Sequence, residues 1–333
     1  MRVVAAPDKL RGTATARDAA TAVARAAAAA GWDCDEMPVA DGGEGTLDVL
    51  GGPNRTTRVT GPLGEPVEAA WRLTGRVAVI EAARACGLAL AGGSEGNDPV
   101  GATSVGTGEL VAAALDGGAR RILVGLGGSA TTDGGLGALR SLYPLHRYAG
   151  AEIVCLCDVR IGFVDAAEVF GPQKGATPAQ VELLRRRLER LADVYLAEHG
   201  VDVRSMPGAG AAGGLAGGLA VAGARLSRGF DAVADEIGLP DAIEGADLVI
   251  TAEGFLDEQS FDGKVVGGVA ELAALVGVPC VAIVGEVIDG LDVSAHARLE
   301  VVSLVERFGE DRARTDTVAC IEEAVRDLVA APA

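Results

Sequence analysis

Gly125-Leu126-Gly127-Gly128-Ser129-Ala130-Thr131-Thr132-Asp133-Gly134-Gly135 follows directly on Arg121-Ile122-Leu123-Val124. The branched apolar run predicts a buried strand, and the stretch after it predicts a glycine loop at the carboxyl end of that strand. Five glycines in this window leave the backbone without Cβ atoms, so that amide N–H groups can approach an anion closely. Ser129, Thr131 and Thr132 add hydroxyls, and Asp133 adds a carboxylate able to hold a divalent cation or accept a proton. An ordinary strand-to-helix turn is the competing reading. Either way the unit is strand, loop, helix, which is how an α/β chain is built.

The same unit recurs outward from this centre. Residues 2–6 predict a first strand, and Thr15 with Asp18 predicts a capping box opening an alanine-rich helix to about Ala30. Between them lie Asp8, Lys9 and Arg11, at the carboxyl end of a strand, where open α/β sheets bind ligands. A merely solvated loop would carry the same charges. Met37 to Ala40 is a second strand candidate, and Asp41, Gly42, Gly43 and Glu44 open the next helix. Those acids suit either the positive end of a helix dipole or the acid, sugar or metal end of a substrate.

From Thr56 to Leu90 three strand-like runs joined by Gly61-Pro62-Leu63-Gly64 and Thr74-Gly75 mark a change of texture, read as the start of a second domain. Thr103 to Leu115 predicts a helix, and Glu152 to Cys157 a strand ending in Asp158. Thr177, Pro178 and Gln180 carry the N-cap, first-turn proline and capping partner of a further helix. Pro207 to Gly218 contains a literal GxGxxG after a poor strand, so it is a weak dinucleotide fingerprint, although amides at a helix start could hold phosphate. Asp247 to Ala252 reads as a buried strand followed by Glu253, then by Asp262-Gly263-Lys264. Val278 to Val284 and Leu299 to Val305 are further strands, and a terminal amphipathic helix closes the chain.

The chain has 333 residues, 48 glycines, 49% hydrophobic residues and a formal net charge of −18. That length allows two domains. The charge repels nucleic-acid backbones and anionic membranes, so neither is expected as a partner. The six cysteines form no CxxC pair and mostly sit among apolar residues, which predicts reduced core thiols and no structural zinc. Met1 to Pro7 carries no long apolar core and no run reaches about 18 apolar residues, so a cytoplasmic protein is expected.

Seven passages in order carry a resemblance: PDKLRG from Pro7, PVADGGEGTLD from Pro38, GLGGSATTDGG from Gly125, CDV from Cys157, VFGPQKGAT from Val169, PGAGAAGGL from Pro207, and ADLVITAEG from Ala246 followed by Gly263-Lys264. Together they make the chain similar to the type I glycerate kinase family over nearly its whole length. The resemblance implies two unlike α/β domains. One is Rossmann- or flavodoxin-like and discontinuous, expected at 1–58 plus 240–333, and the other is inserted, at 59–239, with the active site in the cleft between them. It also implies transfer of the γ-phosphoryl group of ATP to D-glycerate with Mg2+. A kinase for another small hydroxy acid, a nicotinamide-dependent oxidoreductase and a non-catalytic sensor are the rivals, and a homodimer is left open.

The expected roles follow from the matched positions. Asp158, Asp133 and Arg11 are the catalytic candidates; Asp8, Lys9, Asp41, Gly127, Gly128 and Ser129 take the hydroxy acid. Gly208, Gly210, Gly213, Gly214 and Lys264 contact ATP, and Asp133, Asp158 and Glu253 hold magnesium. No GxxxxGK[ST] sequence is present, so any kinase chemistry uses other loops. The chain departs from the family habit at Arg11 (usually Lys), at Thr132 (usually Asn) and at Phe255 (usually Arg). It also lacks the usual Asn-Pro after Cys157-Asp158-Val159 and has a short connection from Gly135 to Cys157.

Overall fold

A computed structural model describes residues 1–10, 12–148, 150–261, 263–291 and 299–330. The chain packs as two units, Met1–Asp41 with Phe230–Ala333, and Gly42–Gly229.

The first unit is a parallel sheet of β1 (Arg2–Ala5), β2 (Asp33–Glu36), β9 (Leu248–Leu256), β10 (Cys280–Val287) and β11 (Leu299–Ser303), strands being numbered in chain order. Their spatial order is β11-β10-β9-β1-β2. Counted within the unit this is 2-1-3-4-5, the flavodoxin-like doubly wound order, with its switch point between β1 and β9. Val3, Ala5, Ile250, Ala252 and Ile283 form one core face with Ala19, Val23 and Ala26 of the helix Ala16–Ala29 and Ile321, Ala324 and Val325 of the helix Thr317–Ala330. Alanines on that first helix let it lie close to the sheet. Leu256, Val266, Ala282 and Val284 fill the opposite face, under the helix Val265–Val276.

The second strand falls at Asp33–Glu36 and not at Met37–Ala40. Three acids and a cysteine suit it because β2 is an edge strand, where polar residues discourage further pairing. Arg2 meets Asp35 across the pair at 2.6 Å. Residues 37–40 still follow β1, with the Met37 and Val39 amides donating to Ala5 and Pro7 carbonyls at 2.8 and 2.9 Å, but Pro38 has no N–H to continue a ladder.

The second unit is a mixed sheet whose spatial order repeats the chain order: β3 (Arg55–Thr60), β4 (Pro66–Thr74), β5 (Val77–Glu81), β6 (Arg121–Gly125), β7 (Glu152–Leu156) and β8 (Arg225–Ser227). The first three are antiparallel and the last four parallel. Ile80, Ile122, Val124 and Cys155 pack under Leu110 and Val111 of the helix Val105–Asp116, and with Leu215 and Leu219 of the segment Ala211–Val221. Both boundaries differ from the expected 58/59 and 239/240. All of β3 is zipped to β4 from Arg55 onward, so it cannot be divided at residue 58.

Both predicted capping boxes form: Thr15 with Asp18, and Thr177 with Gln180 at the head of the helix Pro178–His199. Thr177→Ala removes the cap that satisfies the Gln180 amide and should lower unfolding stability by about 1 kcal/mol in urea denaturation of the full chain. Equal stability of the two proteins would refute that local account. Among the described residues no helix is long and apolar enough to cross a membrane.

Candidate active site

In the first unit, the chain leaves β1 through Ala6-Pro7-Asp8 and stays paired with β9. The Ala6 and Asp8 amides donate to the Ile250 and Ala252 carbonyls, each at 2.8 Å. Asp8 therefore stands at the switch point, with the Lys9 amide donating to its Oδ1 at 2.7 Å and the Lys9 ammonium 3.9 Å away. On the neighbouring strand Glu253 is 8% exposed, and its buried Oε1 has no hydrogen-bond partner among the described residues.

Burial pushes the Asp8 carboxyl up to about 6, against the pull of Lys9; Asp41 adds to the rise and Lys264 opposes it. Burial likewise pushes Glu253 up to about 7, opposed by the Ser260 hydrogen bond and Lys264 and reinforced by Asp8 and Asp257. Five expected site residues, Asp8, Lys9, Asp41, Glu253 and Lys264, thus share one electrostatic neighbourhood. Arg11 and Asp262 lie outside the described residues. Phe255 sits two residues beyond Glu253 on the same strand and is 46% exposed.

An orphaned carboxylate oxygen close to a second, partly buried carboxylate fits a hard divalent cation. Magnesium is commonly held by one or two carboxylates, its other positions going to water and phosphate. Among the described residues no three acid, histidine or cysteine side chains form a ligand set. Asp8 and Glu253 fit as such a pair.

The raised proton affinities make a stability prediction. The folded carboxyls keep protons that the unfolded chain releases near 3.8 and 4.5, so between about pH 4 and 7 the native state binds more protons. Their stabilising contribution is full below about pH 4 and is lost as pH rises through about 6 to 7. Each is on the order of 3 kcal/mol. Urea unfolding of the full chain should therefore show stability declining across that window without Mg2+ and partly restored by Mg2+ above it. The double variant Asp8→Asn, Glu253→Gln should flatten the profile; an unaltered slope would count against the assignment.

In the second unit, several glycine-containing segments gather at the carboxyl edge of the sheet. After β6 the chain turns through Gly127 and Gly128, both exposed, into buried Ser129. No acceptor among the described residues takes the amides of Gly127, Gly128 or Ser129. Three consecutive unpaired N–H donors are what an anion requires. The Asp41–Thr46 region meets this edge from Gly42 onward: a Cβ on Gly127 would stand 2.8 Å from the Gly43 Cα, and one on Gly42 would stand 2.6 Å from the Leu156 Cβ. Glu81, at the end of β5, accepts the Gly45 and Leu47 amides at 3.0 Å each and holds that turn in place.

Asp133, expected to serve catalysis and to hold magnesium, accepts four hydrogen bonds. Its Oδ2 accepts the Ser104 amide at 2.9 Å, the Ser104 hydroxyl at 2.8 Å and the Gly137 amide at 3.2 Å, and its Oδ1 accepts the Gly135 amide at 3.0 Å. Both oxygens cap the helices Val105–Asp116 and Leu136–Ser141. This carboxylate braces two helix starts, and Oδ1 keeps a lone pair beyond the Gly135 bond. Asp158 does stand at the end of β7, with its Oδ1 accepting the Gly229 amide at 2.8 Å.

The glycines expected to contact ATP are buried and turned toward protein. The Gly210 amide donates to Ile161 O and the Gly214 amide to Gly210 O, each at 3.1 Å. A Cβ on Gly213 would stand 1.9 Å from the Thr131 carbonyl oxygen, and one on Gly214 would stand 2.7 Å from the Gly134 Cα. Gly210, Gly213 and Gly214 thus let backbone lie against backbone, Gly210 on Gly162 and the other two on residues 131–134, while Gly208 packs on Val159 O and Cys157 Sγ. The dinucleotide reading fails on local structure, because a 3-10 turn at Val203–Ser205 precedes the motif where a strand is required.

Lys174, inside the VFGPQKGAT passage but read from sequence only as loop, is a residue that reading missed. It is 3% exposed, and its Nζ donates to Ser129 Oγ at 3.0 Å and to Thr131 O at 2.7 Å. Asn97 ties the same region together, its Nδ2 donating to Ala130 O at 3.1 Å and to Lys174 O at 2.9 Å. A lysine in Gly171-Pro172-Gln173-Lys174-Gly175 carries no local sign that it will be buried.

Comparison with known proteins gives this geometry a relationship. A model of the glycerate kinase family matches residues 3–143 and 144–331, dividing inside the short connection between Gly135 and Cys157. The glycerate 2-kinase of Escherichia coli K12 is 38% identical, over 88% of this chain and 87% of its own length. A glycerate kinase of Halalkalibacterium halodurans is 36% identical, over 98% of this chain and 97% of its own. The crystal structure of a glycerate kinase 2 candidate from Salmonella typhimurium LT2 superimposes with a TM-score of 0.84 at 35% identity, covering 99% of this chain and 97% of that one. The chain belongs to the glycerate kinase family.

Proposed function

We propose that this protein is an ATP-dependent glycerate kinase, moving the γ-phosphoryl group of ATP to a hydroxyl of D-glycerate and giving 2-phosphoglycerate. The observation that carries the reading is likeness over nearly the whole chain to proteins named glycerate kinase. The site chemistry supports it. Phosphoryl transfer asks the protein for charge neutralisation, alignment and an acceptor for the hydroxyl proton. The unpaired amides at Gly127, Gly128 and Ser129 suit the carboxylate end of the acid. Asp8 and Glu253 are the residues that would hold magnesium, which when bound neutralises phosphate charge. Lys9 and Lys264 keep that neighbourhood from becoming wholly negative. Asp158, at a strand end and oriented by the Gly229 amide, is assigned the hydroxyl proton.

The test incubates the purified full chain with D-glycerate and Mg-ATP and identifies the product by mass and position of phosphorylation. Asp158→Asn should reduce kcat by about 100-fold or more. Turnover no greater than that control, or a panel in which another hydroxy acid is clearly preferred, overturns the reading.

A further inference from the structure

Lys174 is an almost fully buried ammonium whose two hydrogen-bond acceptors, the Ser129 hydroxyl and the Thr131 carbonyl, are both neutral. Among the described residues no carboxylate forms an ion pair with it. Phe170 presents its ring 5.9 Å away. A buried charge without a paired counter-charge is costly to maintain, and it persists where something else compensates. Burial pulls the amine down to about 8, while Cys86 and Asp133 are the titratable groups that oppose the fall.

Two further observations place unsatisfied hydrogen-bonding groups beside it. Ser129 Oγ accepts from Lys174 and, among the described residues, its own proton has no acceptor. Thr132 Oγ1, in the same loop and 3% exposed, has no hydrogen-bond partner among the described residues. The amides of Gly127 and Gly128 beside them are also unpaired.

We infer that Lys174 is a positioning residue for the acid substrate: its ammonium holds the Ser129–Thr131 backbone and occupies a lone pair of the Ser129 hydroxyl, so that this hydroxyl donates its proton to the substrate carboxylate received by the Gly127–Ser129 amides. The inference rests on the glycerate kinase reading and names the group that the loop takes. A hydroxyl that accepts from a cation is polarised into a stronger donor, and the same cation supplies fixed positive potential beneath the loop. Lys174 acts through Ser129 and does not itself touch the acid. Asn97 completes the arrangement by tying Lys174 and Ala130 together through their carbonyls.

Steady-state kinetics of wild type, Lys174→Met, Ser129→Ala and the double variant test this. Lys174→Met should raise KM for D-glycerate by tenfold or more while KM for ATP changes less than threefold. Ser129→Ala should do the same, and the double variant should be no worse than the poorer single one. A folded Lys174→Met protein with lowered Tm and wild-type KM for glycerate overturns the inference alone. Wild type without glycerate turnover overturns the functional reading and the inference with it. Should Lys174→Met not fold, the wild-type pH profile decides: KM for glycerate should climb above about pH 8, and Ser129→Ala should flatten that climb. A flat wild-type profile overturns the inference.

Discussion

Gly213→Ala should leave the second unit unable to adopt its native packing, with loss of soluble protein or of essentially all activity. The added Cβ would lie 1.9 Å from Thr131 O and 2.7 Å from Thr132 Cα, both backbone atoms that no rotamer change can move aside. Gly213 is also at φ +68°, where an L side chain is strained in its own right. Relief would require separating the two loops, which would disturb the Gly134 amide's bond to Gly213 O at 3.0 Å and the Thr131 backbone that Lys174 holds. A destabilisation above about 4 kcal/mol is expected, in the range reserved for overpacking combined with strain. Gly200→Ala is the matched control: Gly200 has φ +72° with nothing within 4 Å of the added Cβ, so about 1 kcal/mol is expected there. Thermal unfolding of both variants decides the matter. A Gly213→Ala protein no less stable than Gly200→Ala would show that close approach of the loops is not what this glycine permits.

Glu253→Gln carries the largest expected catalytic effect. The substitution keeps size and removes the charge that a bound cation needs, so kcat should fall by about 100- to 1000-fold, with a higher Mg2+ requirement. In wild type, kcat/KM should fall on the acid side as protons return to Glu253 near about 7 and to Asp8 near about 6. Asp8→Asn removes the neighbouring negative charge that raises Glu253, so its residual activity should carry an acid limb displaced to lower pH. These profiles are measured from about pH 5 to 9 at saturating Mg-ATP. A Glu253→Gln enzyme within threefold of wild type, or an acid limb unmoved by Asp8→Asn, would remove the pair from the mechanism.

The relation of each site residue to the amino-acid order differs in kind. Capping boxes at Thr15–Asp18 and Thr177–Gln180 were legible because donor and acceptor lie within one helical turn. The strand into the Gly125–Gly135 loop was legible for a similar reason, since branched apolar residues and glycines act on their own backbone. For Asp133 the residue order leaves ligand and cap equally open, and only the fold brings Ser104 from a distant segment to donate to it. For the Gly208–Gly214 run residue type alone does not separate close approach to a ligand from close approach to another backbone, since both require glycine.

The order of residues by itself determined the alternating strand and helix character and the family. Those properties follow from hydrophobic period, turn chemistry and motif order, all of which are carried by contiguous residues. Tertiary structure alone decided that Asp8 and Glu253 become neighbouring carboxyls of raised proton affinity, that the amides after Gly125 remain unpaired while those of Gly210 and Gly214 do not, and that Lys174 is buried beneath Ser129. Burial, hydrogen-bond partnership and proton affinity depend on which distant segments share a volume, and that is settled only when the chain has closed on itself.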